Sequence, residues 1–155
     1  MKKLIYAAAF TFLLASNAPA TAGGAMQNAN VAHLVGSAAT PNKARFQGAT
    51  HHFEVHVQGK ALSEIAIALP DDLRISGGIE VKNQSNQKIE TQVSVNNKKA
   101  TVVFAQPVAP DTTISIEMRG IHTPGYSHNW GYAISGQMVG INAEIPLGRV
   151  GIQTY

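Results

Sequence analysis

Apolar and polar residues alternate with a period of two through most of this chain from about residue 46 onward. This period places the apolar side chains of a β-strand on one face and the polar side chains on the other. After the first 22 residues, no window carries an apolar stripe with helical spacing over a helical length. The sequence therefore predicts an all-β protein. Its alternating segments are residues 51–57, 63–69, 79–81, 89–95, 100–104, 112–118, 131–136 and 149–155.

Turn-forming residues separate these segments at intervals of roughly ten residues. Asn96-Asn97-Lys98-Lys99 lies between two segments and indicates a tight hairpin. The stretch from Pro107 to Asp111 indicates a second turn, because proline presets φ and aspartate tolerates the next position. We expect an antiparallel immunoglobulin-like β-sandwich of about 7–8 strands, each with one polar face. It would lack the disulfide of antibody domains, because the chain has no cysteine.

The first residues have the three parts of a secretory signal peptide. Lys2 and Lys3 form a basic start, and an apolar run of about twelve residues follows, shorter than the roughly 20 that span a bilayer. Small residues come next, and cleavage after Ala20 and cleavage after Ala22 both stay open. We expect an exported protein of the periplasm, the cell envelope or the extracellular space.

The chain divides into three predicted parts: a signal peptide (1–22), a flexible N-terminal segment (23–45) and a β-sandwich domain (46–155). Removal of the first part leaves 133 of the 155 residues, enough for one domain with its own core. It also lowers the formal net charge from +3 to +1, because Lys2 and Lys3 are lost. A nearly neutral chain with scattered charges lacks the basic surface that nucleic-acid binding requires.

A strand, a double-proline turn and a second strand follow one another from Thr101 to Met118. Further landmarks flank this run: His52-Phe53-Glu54-Val55, Thr123-Pro124, Gly131-Tyr132, Leu147-Gly148 and Tyr155. Their order over residues 46–155 resembles an uncharacterised family of exported proteins common in cyanobacteria, a domain of unknown function. The resemblance implies a sandwich and supplies no catalytic residue. One departure is Asp111, where the family's turn has glycine.

Histidine and glutamate alternate with apolar residues along the first predicted strand of the domain. Residues two apart on a strand share a face at a spacing of about 6.5–7 Å. Imidazole nitrogens and carboxylates are ligands that copper and zinc use in proteins. His52, Glu54 and His56 are therefore candidate ligands of a copper or zinc ion. Alternatively, they form the solvent-facing side of a strand that buries Phe53, Val55 and Val57.

Two histidines, two tyrosines and the only tryptophan lie within residues 120–132. Exposed aromatic residues on a loop of a rigid scaffold commonly form binding sites. Tyr126, His128 and Trp130 are therefore candidate contacts for an envelope protein or a glycan. Alternatively, Trp130 and Tyr132 begin a strand and pack in the core.

Catalytic motifs are missing from the sequence. It has no Gly-x-Ser-x-Gly, no phosphate-binding loop and no cysteine, and Asp71-Asp72 follows a proline in a predicted turn. We expect a non-catalytic exported binding or structural module of the periplasm or cell envelope, with an unknown partner and no cofactor. The alternative is a periplasmic metal-binding protein that uses His52, Glu54 and His56, and a hydrolase is the third and weakest hypothesis.

Overall fold

The computed structural model describes residues 30–96 and 98–155, which form eleven β-strands in two antiparallel sheets. The first sheet has the order β1-β2-β9-β5-β6, with β4 paired to β9, and the second has the order β11-β10-β3-β8-β7. This architecture confirms the predicted all-β sandwich. The strands are β1 His33–Thr40, β2 Ala49–Val57, β3 Leu62–Ala68, β4 Arg74–Ile75, β5 Ile79–Asn83, β6 Lys88–Ile89, β7 Thr91–Val95, β8 Lys99–Val108, β9 Thr112–His122, β10 His128–Met138 and β11 Glu144–Thr154.

Strand β1 lies inside residues 23–45, which the sequence predicts to be flexible. It pairs with β2 from His33 opposite His56 to Thr40 opposite Thr50. It shows no alternation with a period of two, because none of its residues is buried and its register shifts at a bulge between Leu34 and Gly36. The sandwich therefore begins before residue 46. Residues 1–29, which hold the predicted signal peptide and both cleavage points, lie outside the described residues.

The core lies between the two sheets. In β2 the alternation holds as predicted, because Phe53, Val55 and Val57 are completely buried. They face side chains of the second sheet, and burial of each such side chain contributes roughly 1.5–3 kcal/mol. The described residues include no helix with the length and apolarity that crossing a membrane requires. Other fully or nearly fully buried residues are Leu62, Ile65, Ile67, Val81, Val102, Ile114, Ile116, Met118, Trp130, Tyr132, Ile134 and Ile152.

Both predicted turns are present. The hairpin between β7 and β8 is closed by a hydrogen bond from the Asn96 N–H to the Lys99 carbonyl oxygen, at 3.0 Å. In the second turn, Asp111 adopts a φ of 63° and donates its N–H to the Val57 carbonyl oxygen at 2.8 Å. Aspartate tolerates this left-handed conformation better than most residues, which explains how it can stand where the resembling family has glycine.

Candidate functional site

One end of the sandwich collects the β1–β2, β3–β4 and β9–β10 connections and the end of β11. Backbone hydrogen bonds hold these segments together. The Ala44 N–H donates to the Tyr155 carbonyl oxygen at 2.6 Å, and the Tyr155 N–H donates to Asn42 at 2.9 Å. Gly48 bonds in the same way to Ile121, at 2.8 Å. This end is therefore a fixed framework on which exposed side chains can be presented.

Tyr126, His128 and Trp130, predicted as partner contacts, form one aromatic cluster at this end. The ring centroids of Tyr126 and His128 are 5.7 Å apart, and those of His128 and Trp130 are 4.6 Å apart. Both separations lie in the range of favourable edge-to-face contacts. The structure therefore brings together all three residues, and Tyr126, which is 48% exposed, forms the outer surface of the cluster.

Trp130 is buried, whereas a residue that contacts a partner would be exposed. It is only 1% exposed, because it lies on the inward face of β10 in phase with Tyr132 and Ile134. Its indole N–H donates to the Thr154 hydroxyl oxygen at 3.0 Å. Trp130 therefore packs in the core, as the alternative interpretation predicted, beneath the rings of Tyr126 and His128.

A cleft of about 450 Å³ lies beside Tyr126. Lys43 and Arg45 line it together with Tyr126 and Tyr155, and in the described part of the chain neither cation has a carboxylate partner. The Ser127 hydroxyl donates to the Thr154 carbonyl oxygen at 2.9 Å and fixes the loop next to Tyr126. The cleft, defined by these lining residues, thus combines aromatic faces with two positively charged side chains.

Sequence reasoning missed Lys43 and Arg45, because both lie in the segment predicted to be flexible. They reach the cleft only because the chain after β1 runs beside the end of β11, which is more than 100 residues away in sequence. Local patterns carry no signal of such an approach. Only a prediction of strand β1 at residues 33–40 would have indicated that the segment after it is ordered.

A larger cleft of about 870 Å³ adjoins the same end, and Asp71, Arg74, Lys98 and His122 are among its lining residues. The Lys98 ammonium group lies 2.8 Å from the Asp71 carboxylate. This hydrogen bond and the opposite charge lower the pKa of Asp71 and raise that of Lys98. Both side chains are highly exposed, so the pair contributes little to stability and its charges offset each other.

The hydroxyl oxygen of Ser76 lies 3.0 Å from Nε2 of His122, a contact that resembles a nucleophile and its base. The Ser76 hydroxyl is also 3.0 Å from the Gly120 carbonyl oxygen, to which it can only donate. No carboxylate among the described residues hydrogen-bonds to His122 to orient it as a base. The pair therefore lacks the third member of a triad, and the expectation of a non-catalytic protein stays a prediction.

His52, Glu54 and His56 lie on the outer face of β2, as predicted. Within residues 30–96 and 98–155, however, no group of three or more histidine and acidic residues is placed to hold one metal ion. The three side chains are spread along the strand, and His56 hydrogen-bonds through Nδ1 to the Thr113 hydroxyl at 2.9 Å. The predicted three-ligand site therefore does not converge.

His51 is a feature that sequence reasoning did not use. It is completely buried, and its Nδ1 lies 2.7 Å from the hydroxyl oxygen of Tyr132. Burial, with a smaller contribution from the charge of His52, lowers the pKa of His51 to about 4, and burial raises the pKa of Tyr132. His51 is two residues before Phe53, so the alternation of the strand could have predicted that its side chain faces the core. At neutral pH His51 is uncharged, as a core residue must be.

Solved structures share this fold. The N-terminal domain of the Streptococcus gordonii adhesin Sgo0707 superposes with a TM-score of 0.54 at 14% identity, over 81% of this chain and 32% of that one. BcpA, the major pilin subunit of Bacillus cereus, gives 0.52 at 11% identity, over 71% and 35%. BslA, a bacterial hydrophobin, gives 0.55 at 12% identity, over 81% and 95%. This chain spans about a third of the first two, and identities this low show the fold alone.

A comparison with curated protein sequences gives no match. A family model does match, over residues 26–147, and its description is "Protein of unknown function (DUF2808)". The matched range includes β1, in agreement with a sandwich that begins before residue 46. A family of unknown function is also what the sequence resemblance implied.

Proposed function

This chain belongs to the DUF2808 family of proteins of unknown function, and we propose that it is a non-catalytic, exported binding module of the cell envelope. The same fold occurs in the N-terminal domain of an adhesin and in a major pilin subunit. Fold alone does not specify a ligand, and the proposal therefore depends on a site on this chain.

The cleft beside Tyr126 is the observation that carries the proposal. Tyr126 and Tyr155 present exposed rings, and Lys43 and Arg45 supply positive charge between the same walls. Tyrosine and arginine are the residue types that most often dominate binding energy. Tyrosine rings provide apolar faces for a sugar ring, and the guanidinium and ammonium groups bind carboxylate, sulfate or phosphate groups. The ligand class that fits best is an anionic glycan.

Export is the second part of the proposal, and it is supported by the basic start, short apolar run and small-residue end of residues 1–22. Expression of the full chain in a bacterial host, followed by fractionation and determination of the amino-terminal residue, tests it. We expect a chain in the envelope or periplasmic fraction that begins at residue 21 or 23. An unprocessed chain confined to the cytoplasm would contradict this part of the proposal.

Co-sedimentation with an insoluble anionic polysaccharide tests the binding site. We expect the protein to sediment with the anionic material, less with a neutral polysaccharide, and less at high salt because ions screen Lys43 and Arg45. Tyr126→Ala and Arg45→Ala should each reduce the bound fraction. Val139→Ala is a matched control, because Val139 is also 48% exposed and does not line the cleft.

Binding that is equal for all variants, or absent with anionic and neutral glycans alike, argues against the glycan as ligand. If the protein instead captures an envelope protein, and Tyr126→Ala abolishes this capture, the cleft is still the binding site but its ligand is a protein. A hydrolysis product released from the polysaccharide would contradict the non-catalytic assignment.

A further inference from the structure

Two histidines face each other across β1 and β2, away from the cleft. His33 and His56 are register partners, and their ring centroids are 5.4 Å apart with an angle of 60° between the planes. Both residues are partly exposed on the outer face of the sheet. Solvent and dissolved ions can therefore reach the two rings, which lie at the end of the sandwich opposite Tyr126.

Both rings use Nδ1 for a protein contact. Nδ1 of His33 lies 3.1 Å from the Val31 carbonyl oxygen, which only accepts, so this nitrogen carries the proton of the neutral ring. Nδ1 of His56 lies 2.9 Å from the Thr113 hydroxyl oxygen, which can accept in the same way. Among the described residues, neither Nε2 has a hydrogen-bond partner. His33 thus offers a lone pair on Nε2, and His56 does so in the tautomer whose Nδ1–H donates to the Thr113 hydroxyl oxygen.

Histidines that bind metal ions share this pattern. A ligating histidine nearly always donates its other ring N–H to a backbone carbonyl, a carboxylate or water, which fixes the tautomer and the ring orientation. His33 has such a carbonyl, and His56 has a hydroxyl in the equivalent position. Because these hydrogen bonds already restrict the rotation of each ring, less conformational entropy is lost when both rings bind one ion.

The edge-to-face rings also have a centroid separation that is compatible with one shared ion. A metal about 2.1 Å from each Nε2, with each ring centre about 1.2 Å further on, places the centroids about 5.4 Å apart at a tetrahedral angle. The observed separation is 5.4 Å. We propose that His33 and His56 bind one divalent transition-metal ion, Cu²⁺ or Zn²⁺, through their Nε2 atoms, with water in the remaining positions.

This pair differs from the set predicted from the sequence. It keeps His56 and replaces His52 and Glu54, which follow one another along a single strand, with His33 from the neighbouring strand. Directly opposed positions on antiparallel strands bring side chains to about 4.5–5.5 Å at Cβ, closer than positions two apart on one strand. The pairing of β1 with β2 therefore brings His33 and His56 close together, whereas the candidate ligands along β2 alone are too far apart.

Titration of the purified protein with CuCl₂ and with ZnCl₂, followed by calorimetry, tests the proposal. We expect one ion per chain, with Cu²⁺ bound more tightly than Zn²⁺ as the general order of divalent metals requires. His33→Gln and His56→Gln should each weaken binding by about tenfold or more. His52→Gln is the matched control, because it removes a third imidazole from the same face of β2, and its affinity should stay within about twofold of the original.

Several results would overturn the proposal. They are the absence of binding tighter than about 100 μM, unchanged affinity in His33→Gln, and a loss in His52→Gln that is as large as in His56→Gln. Far-UV circular dichroism of each variant checks that it is folded. Electron paramagnetic resonance of the original protein with one equivalent of Cu²⁺ needs no variant. Coupling to two imidazole nitrogens supports the site, and a spectrum without nitrogen coupling contradicts it.

Discussion

Nδ1 of His51 lies 2.7 Å from the hydroxyl oxygen of Tyr132, and this hydrogen bond joins the two sheets across the core. His51 is on β2 of the first sheet and Tyr132 is on β10 of the second. The rings are edge to face, with centroids 6.0 Å apart. Nε2 of His51 is buried without a partner among the described residues. A second proton on this ring would therefore place an uncompensated charge in the core.

Stability should consequently fall in acid. The pKa of His51 is about 4 in the folded protein and 6.5 without the protein's influence. Between these values the unfolded chain binds a proton that the folded chain does not, so the free energy of unfolding decreases as the pH falls from about 6.5 towards 4. The full difference corresponds to about 3 kcal/mol. Urea unfolding at pH 7.5, 6, 5 and 4 measures it.

His51→Leu serves as the control for this pH dependence, because it removes the titrating group and keeps an apolar side chain in the core. The slope of stability between pH 6.5 and 4.5 should be clearly smaller in His51→Leu than in the original protein. Equal slopes would show that other groups cause the acid sensitivity. The comparison uses slopes because His51→Leu also leaves the Tyr132 hydroxyl without a partner, which changes the free energy of unfolding at every pH.

Gly120 permits the close approach of β9 to the segment after β4. Its φ is 65°, and a Cβ atom there would lie 2.5 Å from the backbone nitrogen of Gly77 and would also meet the Ser76 hydroxyl oxygen. Gly120→Ala should therefore lower the free energy of unfolding by about 3 kcal/mol, from backbone strain and from the clash together. Chemical denaturation of the variant measures the loss.

Gly78→Ala separates the two causes. Gly78 has a similar φ of 77°, but nothing lies within 4 Å of the position its Cβ would take. This variant should lose only the cost of backbone strain, about 1–2 kcal/mol. If both variants lose the same amount, the predicted clash at Gly77 does not exist.

Trp130 reports on the packing beneath the cleft, because it is the only tryptophan in the chain. Its fluorescence in the folded protein should be blue-shifted and resistant to iodide, since the side chain is buried. Thr154→Val removes the acceptor of the indole N–H and should cost about 1–3 kcal/mol. Thr154→Ser keeps a hydroxyl and should lose less. Emission typical of an exposed tryptophan would contradict the assignment of Trp130 to the core.

Local alternation was sufficient to predict the fold class and the two faces of β2. It failed at β1, because this strand buries none of its residues and also contains a bulge after Leu34, so its sequence has no regular apolar alternation. The same gap hid Lys43 and Arg45, which follow β1, and hid His33, whose partner is 23 positions away in sequence. Contacts between distant strands depend on register and sheet order, which local patterns do not encode.

The aromatic cluster shows a different limit. Composition indicated Tyr126, His128 and Trp130 as candidate contacts in one loop, and in the structure their three rings lie together. The depth of each residue depends on where the strand enters the sandwich. Tyr126 lies outside β10 and is exposed, whereas Trp130 lies far enough along the strand to be covered by the opposite sheet. Only the three-dimensional structure separates contact residues from supporting ones.

The affinity of the protein for a soluble anionic oligosaccharide tests the central claim most directly, namely that the cleft beside Tyr126 is the binding site. Calorimetry on the original protein, Tyr126→Ala and Val139→Ala provides the comparison. We predict that Tyr126→Ala binds at least about tenfold more weakly, a loss of about 1.4 kcal/mol, while Val139→Ala matches the original protein. Equal affinities for all three proteins would contradict the claim.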